Sequence, residues 1–173
     1  VLLGLNKLLG LRLSKNELIK LGAELGSDVP FFIFGNCSFV TGRGEVLQKL
    51  CLKRGAFLIL VNPGIAISTK SVYDSVNIKL TKKRNHISMT PPLFDLYENL
   101  HVLSNDLETV VRRQYSQISD IKDQLMKLGA LAVQLSGSGS TVYGVFPTWI
   151  DAKTALSQLE TVTSYDSFLV YTL

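Results

Sequence analysis

From residue 57 onward, apolar runs and turn residues alternate in an order that few folds can use. Phe57–Val61 is a short continuous apolar run closed by Pro63 and Gly64, and it reads as a buried strand. Ser68 or Thr69 caps a short helix running to about Val76. Asn105, with Glu108 at the capping-box position, opens the longest helix, whose apolar face runs from Leu107 and Val111 through Ile118, Ile121 and Leu125. Gly129 stops it. Leu131–Leu135 and Thr141–Phe146 are strands joined by Ser136-Gly137-Ser138-Gly139-Ser140. Thr148 and Asp151 open a further helix, and Phe168–Thr172 closes with a strand. The order is β-α-α-β-β-α-β. With one extra helix, that is the split-βαβ pattern of ferredoxin-like domains, in which helices cover one face of an antiparallel sheet. The fold class is α+β.

The chain before residue 57 reads differently. Residues 1–11 are apolar at helical density. Ser14 and Glu17 form a capping box for a helix with Leu18, Leu21 and Leu25 on one face, stopped by Gly26. Pro30 disfavours a helical Val29, so Ser27-Asp28-Val29-Pro30 is expected to be a tight loop. Phe31–Phe34 and Cys37–Val40 are expected to be strands of a hairpin turning at Gly35-Asn36, with a further turn at Thr41–Glu45. A boundary near Leu52-Lys53-Arg54-Gly55 divides the chain into domains 1–53 and 54–173. Residues 77–92 are polar and basic, end in Pro91-Pro92, and read as loop.

Composition removes several function classes. At 46% apolar and 18% charged, the 173-residue chain is not disordered or low-complexity. Its net charge is only +4, and the one dense basic run, Lys82-Lys83-Arg84, reads as a solvated loop, so no nucleic-acid partner is expected. Cys37 and Cys51 sit in no C-x-x-C pair and beside no histidine, which leaves zinc and disulfide frameworks unsupported and reduced thiols of a cytoplasmic protein as the default. His86 and His101 read as surface residues. No apolar run reaches the roughly 18–20 residues that span a bilayer. The first residues, Val1-Leu2-Leu3-Gly4-Leu5, have no basic region before them and no initiating Met. They read as a chain joined in mid-helix, not as a signal peptide.

Four segments could carry chemistry. The Gly/Ser turn 136–140 exposes backbone N–H groups and hydroxyls, a concavity that suits phosphate oxygens, although no G-K-[ST] or third glycine follows. A flexible hairpin loop is the ordinary alternative. Asp28, in a short loop beside a helix end, can accept or orient an alcohol proton, or simply form an Asx turn. Thr69 presents a hydroxyl at a helix start. Tyr73, one turn later on the same side, could stack on a base or belong to the core. In Asn105-Asp106-Leu107-Glu108 the polar groups could face a site, but helix capping accounts for Asn105 and Glu108 without further function, and Asp106 suits the helix dipole.

The order of these segments is more telling than any one of them. Leu25-Gly26-Ser27-Asp28-Val29-Pro30-Phe31-Phe32, Thr41-Gly42-Arg43-Gly44-Glu45, Val61-Asn62-Pro63-Gly64 with Ser68-Thr69 and Val72-Tyr73, Asn105-Asp106-Leu107-Glu108, and Leu135-Ser136-Gly137-Ser138-Gly139-Ser140-Thr141 together resemble one family over nearly the whole chain. That family is the 4-diphosphocytidyl-2-C-methyl-D-erythritol kinases of non-mevalonate isoprenoid precursor synthesis, within the GHMP kinase superfamily. The resemblance implies a GHMP kinase fold, with residues 1–53 the remainder of an N-terminal lobe and 54–173 the ferredoxin-like C-terminal domain. It implies phosphorylation of the substrate 2-hydroxyl by ATP, with Mg2+ and no tightly bound cofactor. Asp28 matches the active-site aspartate and Tyr73 an aromatic that stacks on the cytosine. Thr69 falls in the same substrate loop. Gly137, Ser138, Gly139 and Ser140 match the glycine motif beside the ATP phosphates. The partner implied is the cytidyl-linked methylerythritol, with no nucleic acid or membrane, in a cytoplasmic monomer or homodimer.

The family also carries a P-A-K-x-N-L-like segment with a catalytic lysine and a P-x-G-x-G-L-G-G-G-S-S-like ATP loop. Neither occurs in these 173 residues, and the surroundings of Lys7 do not match that lysine. The expectation is therefore the C-terminal portion of such an enzyme, with little or no activity alone and apolar surface around Leu2, Leu5 and Leu8. Two other readings stand beside it: another GHMP small-molecule kinase, acting on homoserine or mevalonate, and a non-catalytic ferredoxin-like module that binds a small ligand or dimerises.

Overall fold

A computed structural model describes residues 1–76 and 93–172, so the loop expected over 77–92 lies outside the described residues. In chain order the first elements are α1 (Leu2–Leu8), α2 (Lys15–Leu25), α3 (Val29–Phe34), β1 (Ser38–Thr41), β2 (Val46–Lys49), β3 (Cys51–Leu52), β4 (Phe57–Asn62) and α4 (Thr69–Ser75). Then come β5 (Leu93–Phe94), a 3-10 segment (Tyr97–Val102), α5 (Glu108–Gln114), α6 (Ser116–Lys127), β6 (Ala132–Leu135), β7 (Val142–Phe146), α7 (Trp149–Val162) and β8 (Asp166–Tyr171). They form two compact units. One gathers residues 1–53 with β5; the other starts at Arg54 and resumes at Asp95.

In the first unit, the capping box at α2 forms as its sequence demands. The Ser14 hydroxyl accepts from the Glu17 amide at 3.3 Å, and the Glu17 carboxylate accepts from the Ser14 amide at 2.8 Å. The expected strand at 31–34 is instead helix α3. Pro30 sits in its first turn, where no N–H is needed and the fixed φ already suits a helix. Burial of Pro30 and Ile33, three apart, with Phe32 exposed, follows helical spacing rather than alternation. Gly35 closes α3 in the left-handed conformation (φ 65°), so the hairpin moves downstream. β1 pairs antiparallel with β2, from Ser38 opposite Lys49 to Thr41 opposite Val46. β3 runs parallel to β5. On α1, Leu5 and Leu8 are exposed and Leu2 is half-buried.

The second unit is a four-stranded antiparallel sheet in the order β6-β7-β4-β8. This is the strand order that the split-βαβ pattern requires. Ile59 and Val61 of β4, Val142 and Phe146 of β7 and Leu135 of β6 point to one face. Val72, Val111, Ile118, Ile121, Leu125, Ala152 and Leu159 cover that face from the helices. The Thr148 hydroxyl caps α7 by accepting from the Asp151 amide. Tyr97 ties the 3-10 segment to the sheet: its hydroxyl donates to the Phe146 carbonyl at 2.8 Å and accepts from the Phe57 amide at 3.2 Å.

One expectation fails in this unit. The single long helix after Asn105 is two helices, because Tyr115 adopts extended angles (φ −132°, ψ 95°) between α5 and α6. Asn105 and Glu108 do not form a capping box. The residue before α5 is Leu107, which makes no side-chain cap.

Leu125 has no exposed surface and packs in the core between α6 and the sheet. Leu125→Ala should cost about 2–5 kcal/mol, whereas Ser14→Ala at the exposed cap should cost about 1 kcal/mol. Urea denaturation of the two variants measures the ratio.

Candidate functional site

Two strand ends create the site in the second unit. β4 leaves the sheet after Asn62, and Pro63-Gly64 carries the chain to α4. β7 enters it after the turn 136–140. Val61 is paired with Val142, so both events happen at the same end of the sheet. Ser68 caps α4 by accepting from the Ser71 amide. That cap sets Thr69 and Tyr73 one turn apart. Val72 between them is buried, but Tyr73 is 61% exposed, so its ring is available to a ligand and is not part of the core.

The turn is held at several points. Gly137 (φ 55°) and Gly139 (φ 91°) take left-handed angles, and a Cβ on Gly139 would lie 3.1 Å from Leu135 Cδ1 and 3.2 Å from Ile67 Cδ1. The Ser136 amide donates to the Thr141 carbonyl at 2.8 Å, and the Gly139 amide to the Ser136 carbonyl at 2.9 Å. The Ser138 and Thr69 hydroxyls share a hydrogen bond of 2.8 Å, which joins the turn to the start of α4. Buried Ser140 donates to Asn62 Oδ1 at 3.3 Å.

Asn105 and Glu108 act here, with only Asn105 Oδ1 turned to the start of α5. Asn105 Nδ2 donates to the Leu135 carbonyl at 2.9 Å and to the Gly137 carbonyl at 2.7 Å, while Oδ1 accepts from the Leu107 amide at 3.0 Å. Glu108, 8% exposed, accepts from the Leu135 amide at 3.0 Å and is paired with Lys122 and, at 3.9 Å, with Arg112. A cavity of about 860 Å3 opens between these parts, lined among others by Tyr73, Asn105, Asp106, Ser136, Gly137 and Tyr143. Burial, and then the nearby Glu108 carboxylate, push the Tyr143 phenol above its usual pKa, so it stays protonated and can donate.

Asp28 belongs to the first unit. It precedes α3 in helical angles, is exposed, and makes no cap hydrogen bond through its side chain. Its loop is fixed from the other side by the turn at 41–45. Gly44 (φ 118°) approaches so closely that a Cβ there would lie 1.9 Å from the Ser27 carbonyl oxygen. The Glu45 carboxylate accepts from the Arg43 amide at 2.7 Å and stiffens the same turn. A hollow of about 570 Å3 lies beside the loop, lined by Glu24, Ser27, Pro30 and Arg43 among others.

The structure therefore brings Thr69, Tyr73 and the turn together in one unit and holds Asp28 in the other. Sequence reasoning offered Asn105 and Glu108 as polar groups that could face a site but favoured a helix cap, and it missed Asn62 and Tyr143. Only Asn105 and Glu108 carried a signal, and their spacing matched a capping box. Among the described residues no group of three or more His, Cys, Asp or Glu side chains is placed to hold a metal ion. No helix among them is long and apolar enough to cross a membrane.

Fold and motifs define a class: the small-molecule kinases built on a ferredoxin-like C-terminal domain. A family model described as GHMP kinases C terminal matches residues 78–162, and the chain belongs to the GHMP kinase superfamily. Two curated relatives, from Syntrophotalea carbinolica and Geobacter metallireducens, are each 41% identical over 98% of this chain and are named 4-diphosphocytidyl-2-C-methyl-D-erythritol kinase. A crystal structure of 4-(cytidine 5'-diphospho)-2C-methyl-D-erythritol kinase is similar over 98% of this chain and 60% of its own, with a TM-score of 0.79 at 25% identity. A homoserine kinase from Cytophaga hutchinsonii shares the fold at 15% identity and a TM-score of 0.65. The chain spans about 60% of the length of the curated relatives it matches.

Gly44→Ala would force both a left-handed alanine and a clash with backbone, so it should destabilise the first unit by about 2 kcal/mol or more. Denaturation followed by amide signals of α2 and α3 checks this, and a loss below about 0.5 kcal/mol would contradict the packing described.

Proposed function

We propose that this chain supplies the acceptor-side and phosphate-side residues of an ATP-dependent kinase that phosphorylates the 2-hydroxyl of 4-diphosphocytidyl-2-C-methyl-D-erythritol. Residues 1–53 then belong to the N-terminal lobe and residues 54–173 form the C-terminal domain. Asp28 takes or orients the hydroxyl proton as the oxygen attacks the γ-phosphorus of ATP, and ADP leaves. Such a transfer depends on positioning and on stabilising charge, which a carboxylate and the remaining amide and hydroxyl donors of the 136–140 turn can provide. Tyr73 stacks on the cytosine, Thr69 lies in the same substrate loop, and Gly137–Ser140 borders the phosphates. ATP enters as its Mg2+ complex, and the protein works in the cytoplasm as a monomer or homodimer.

One observation carries the reading. An exposed tyrosine ring and a small-residue turn line one cavity, and the turn is tied to the start of the tyrosine's helix by the Thr69–Ser138 hydrogen bond. A core tyrosine or a free hairpin would have argued against it. The names of the relatives support the choice of substrate.

A chimaera in which these 173 residues replace the matched segment of the Syntrophotalea carbinolica relative tests the proposal. It should form ADP with ATP and the cytidyl substrate, and not with homoserine or mevalonate. Asp28→Asn should lower kcat by about 10^3-fold or more, since proton transfer and positioning both suffer. Tyr73→Ala should raise KM for the cytidyl substrate by about 10-fold or more, the value of a lost stacking contact. A chimaera that melts cooperatively yet turns over no substrate would refute the assignment.

A further inference from the structure

Among the described residues β6 lies at the edge of the sheet and pairs with β7 on one side only. An edge strand leaves outward N–H and C=O groups without a ladder partner. At Leu135, the last residue before the turn, both groups are taken by side chains: the N–H by Glu108 and the C=O by Asn105. Asn105 then reaches past the strand end to the Gly137 carbonyl. Its two N–H donors and its oxygen are all engaged, so the amide has one orientation. Glu108 in turn is fixed by Lys122 from α6 and by Arg112 one turn along α5. A carboxylate this buried is costly to desolvate and persists only when its partners are all in place.

We propose that Asn105 and Glu108 are positioning residues that set the geometry of the 136–140 turn by gripping the backbone where β6 gives way to it. Neither reaches the reacting atoms in this role. Asn105 fixes the distance between the Leu135 and Gly137 carbonyls, and with it the direction of the N–H groups and the Ser138 hydroxyl. Glu108 fixes the strand end on which Asn105 acts. This explains why a segment that looks like a capping box does not form one: the Asn105 amide donors and the Glu108 carboxylate are committed to the strand end and the turn, and only Asn105 Oδ1 serves the start of α5, at the Leu107 amide. The functional side of the proposal rests on the reading of 136–140 as the phosphate-side loop.

Asn105→Asp is the discriminating variant. It keeps an oxygen for the Leu107 amide but sets carboxylate oxygens against two backbone carbonyls. In the 173-residue chain, hydrogen exchange at the Ser136 and Gly139 amides should accelerate by about 10-fold or more while Ile59 and Val145, inside the sheet, exchange as before, the signature of a local opening. Unchanged exchange at the turn would overturn the proposal. So would equal acceleration throughout the sheet, which would make Asn105 a general stability residue. Should Asn105→Asp unfold the chain, Asn105→Ala, which adds no charge, carries the same expectation. Unfolding of both would overturn the proposal as well. In the active chimaera, Asn105→Asp should raise KM for ATP by about 10-fold or more, the cost of a displaced contact loop, with KM for the cytidyl substrate within about twofold. If the unsubstituted chimaera is inactive, the kinase reading fails and the functional side of this proposal with it. If that chimaera is active and Asn105→Asp leaves KM for ATP unchanged, the positioning role alone is refuted.

Discussion

Val61 on β4 faces Val142 on β7 in an antiparallel ladder, and both side chains are fully buried beneath the helices. That register is hard to shift. A slip of one residue would turn Ile59, Val61, Val142 and Phe146 out of the core together. Because the register is fixed, the exit of β4 and the approach to β7 must occur side by side. Everything of chemical interest in the second unit grows from those two points. The first carries the chain to Ser68, Thr69 and Tyr73. The second is the turn 136–140. The Thr69–Ser138 hydrogen bond is a consequence of sheet pairing, not an independent feature.

A buried polar layer then converts proximity into a defined shape. Glu108, Lys122 and Arg112 contribute little net stability as a group, because desolvation of the charges offsets their attraction. Their value lies in what they exclude. With Glu108 bound to the Leu135 amide and Asn105 to the carbonyls on either side of Ser136, alternative turn geometries would leave the buried Glu108 carboxylate or the Leu135 carbonyl without its partner. The same logic holds at Gly44 in the first unit. There the device is steric: backbone against backbone at a distance only glycine permits.

The sequence made local features readable and long-range ones obscure. The Ser14–Glu17 and Thr148–Asp151 caps were legible because donor and acceptor lie three residues apart. The strand order of the second unit was legible because its apolar runs match the lengths of strands and helices. Phe31–Phe34 misled because four consecutive apolar residues after a proline have no visible period. Only packing of Ile33 and Pro30 reveals a helix there. Asn105 and Glu108 misled for a different reason. Their spacing matched a capping box, while their true partners, Leu135 and Gly137, lie 27 to 32 residues away. No local pattern can distinguish a side chain that satisfies its own helix from one that satisfies a distant strand end.

Fold likeness and site chemistry license different conclusions. A homoserine kinase shares this architecture at 15% identity, so the architecture alone selects no acceptor. What can select one is the wall of the cavity. A small amino-acid alcohol offers nothing for an exposed aromatic ring to stack on, and a site built for it would gain by burying or removing that ring. Tyr73 instead stands 61% exposed beside a buried valine, at a cavity that Ser136 and Gly137 of the Gly/Ser turn also line. An unburied aromatic forgoes roughly 1.5–3 kcal/mol of transfer free energy. Phe32, Phe168 and Tyr171 are comparably exposed, so exposure alone assigns no partner; what sets Tyr73 apart is its place on the cavity wall. Ring and turn on one cavity are the features by which the proposed cytidyl-linked acceptor would be told from a small amino-acid alcohol.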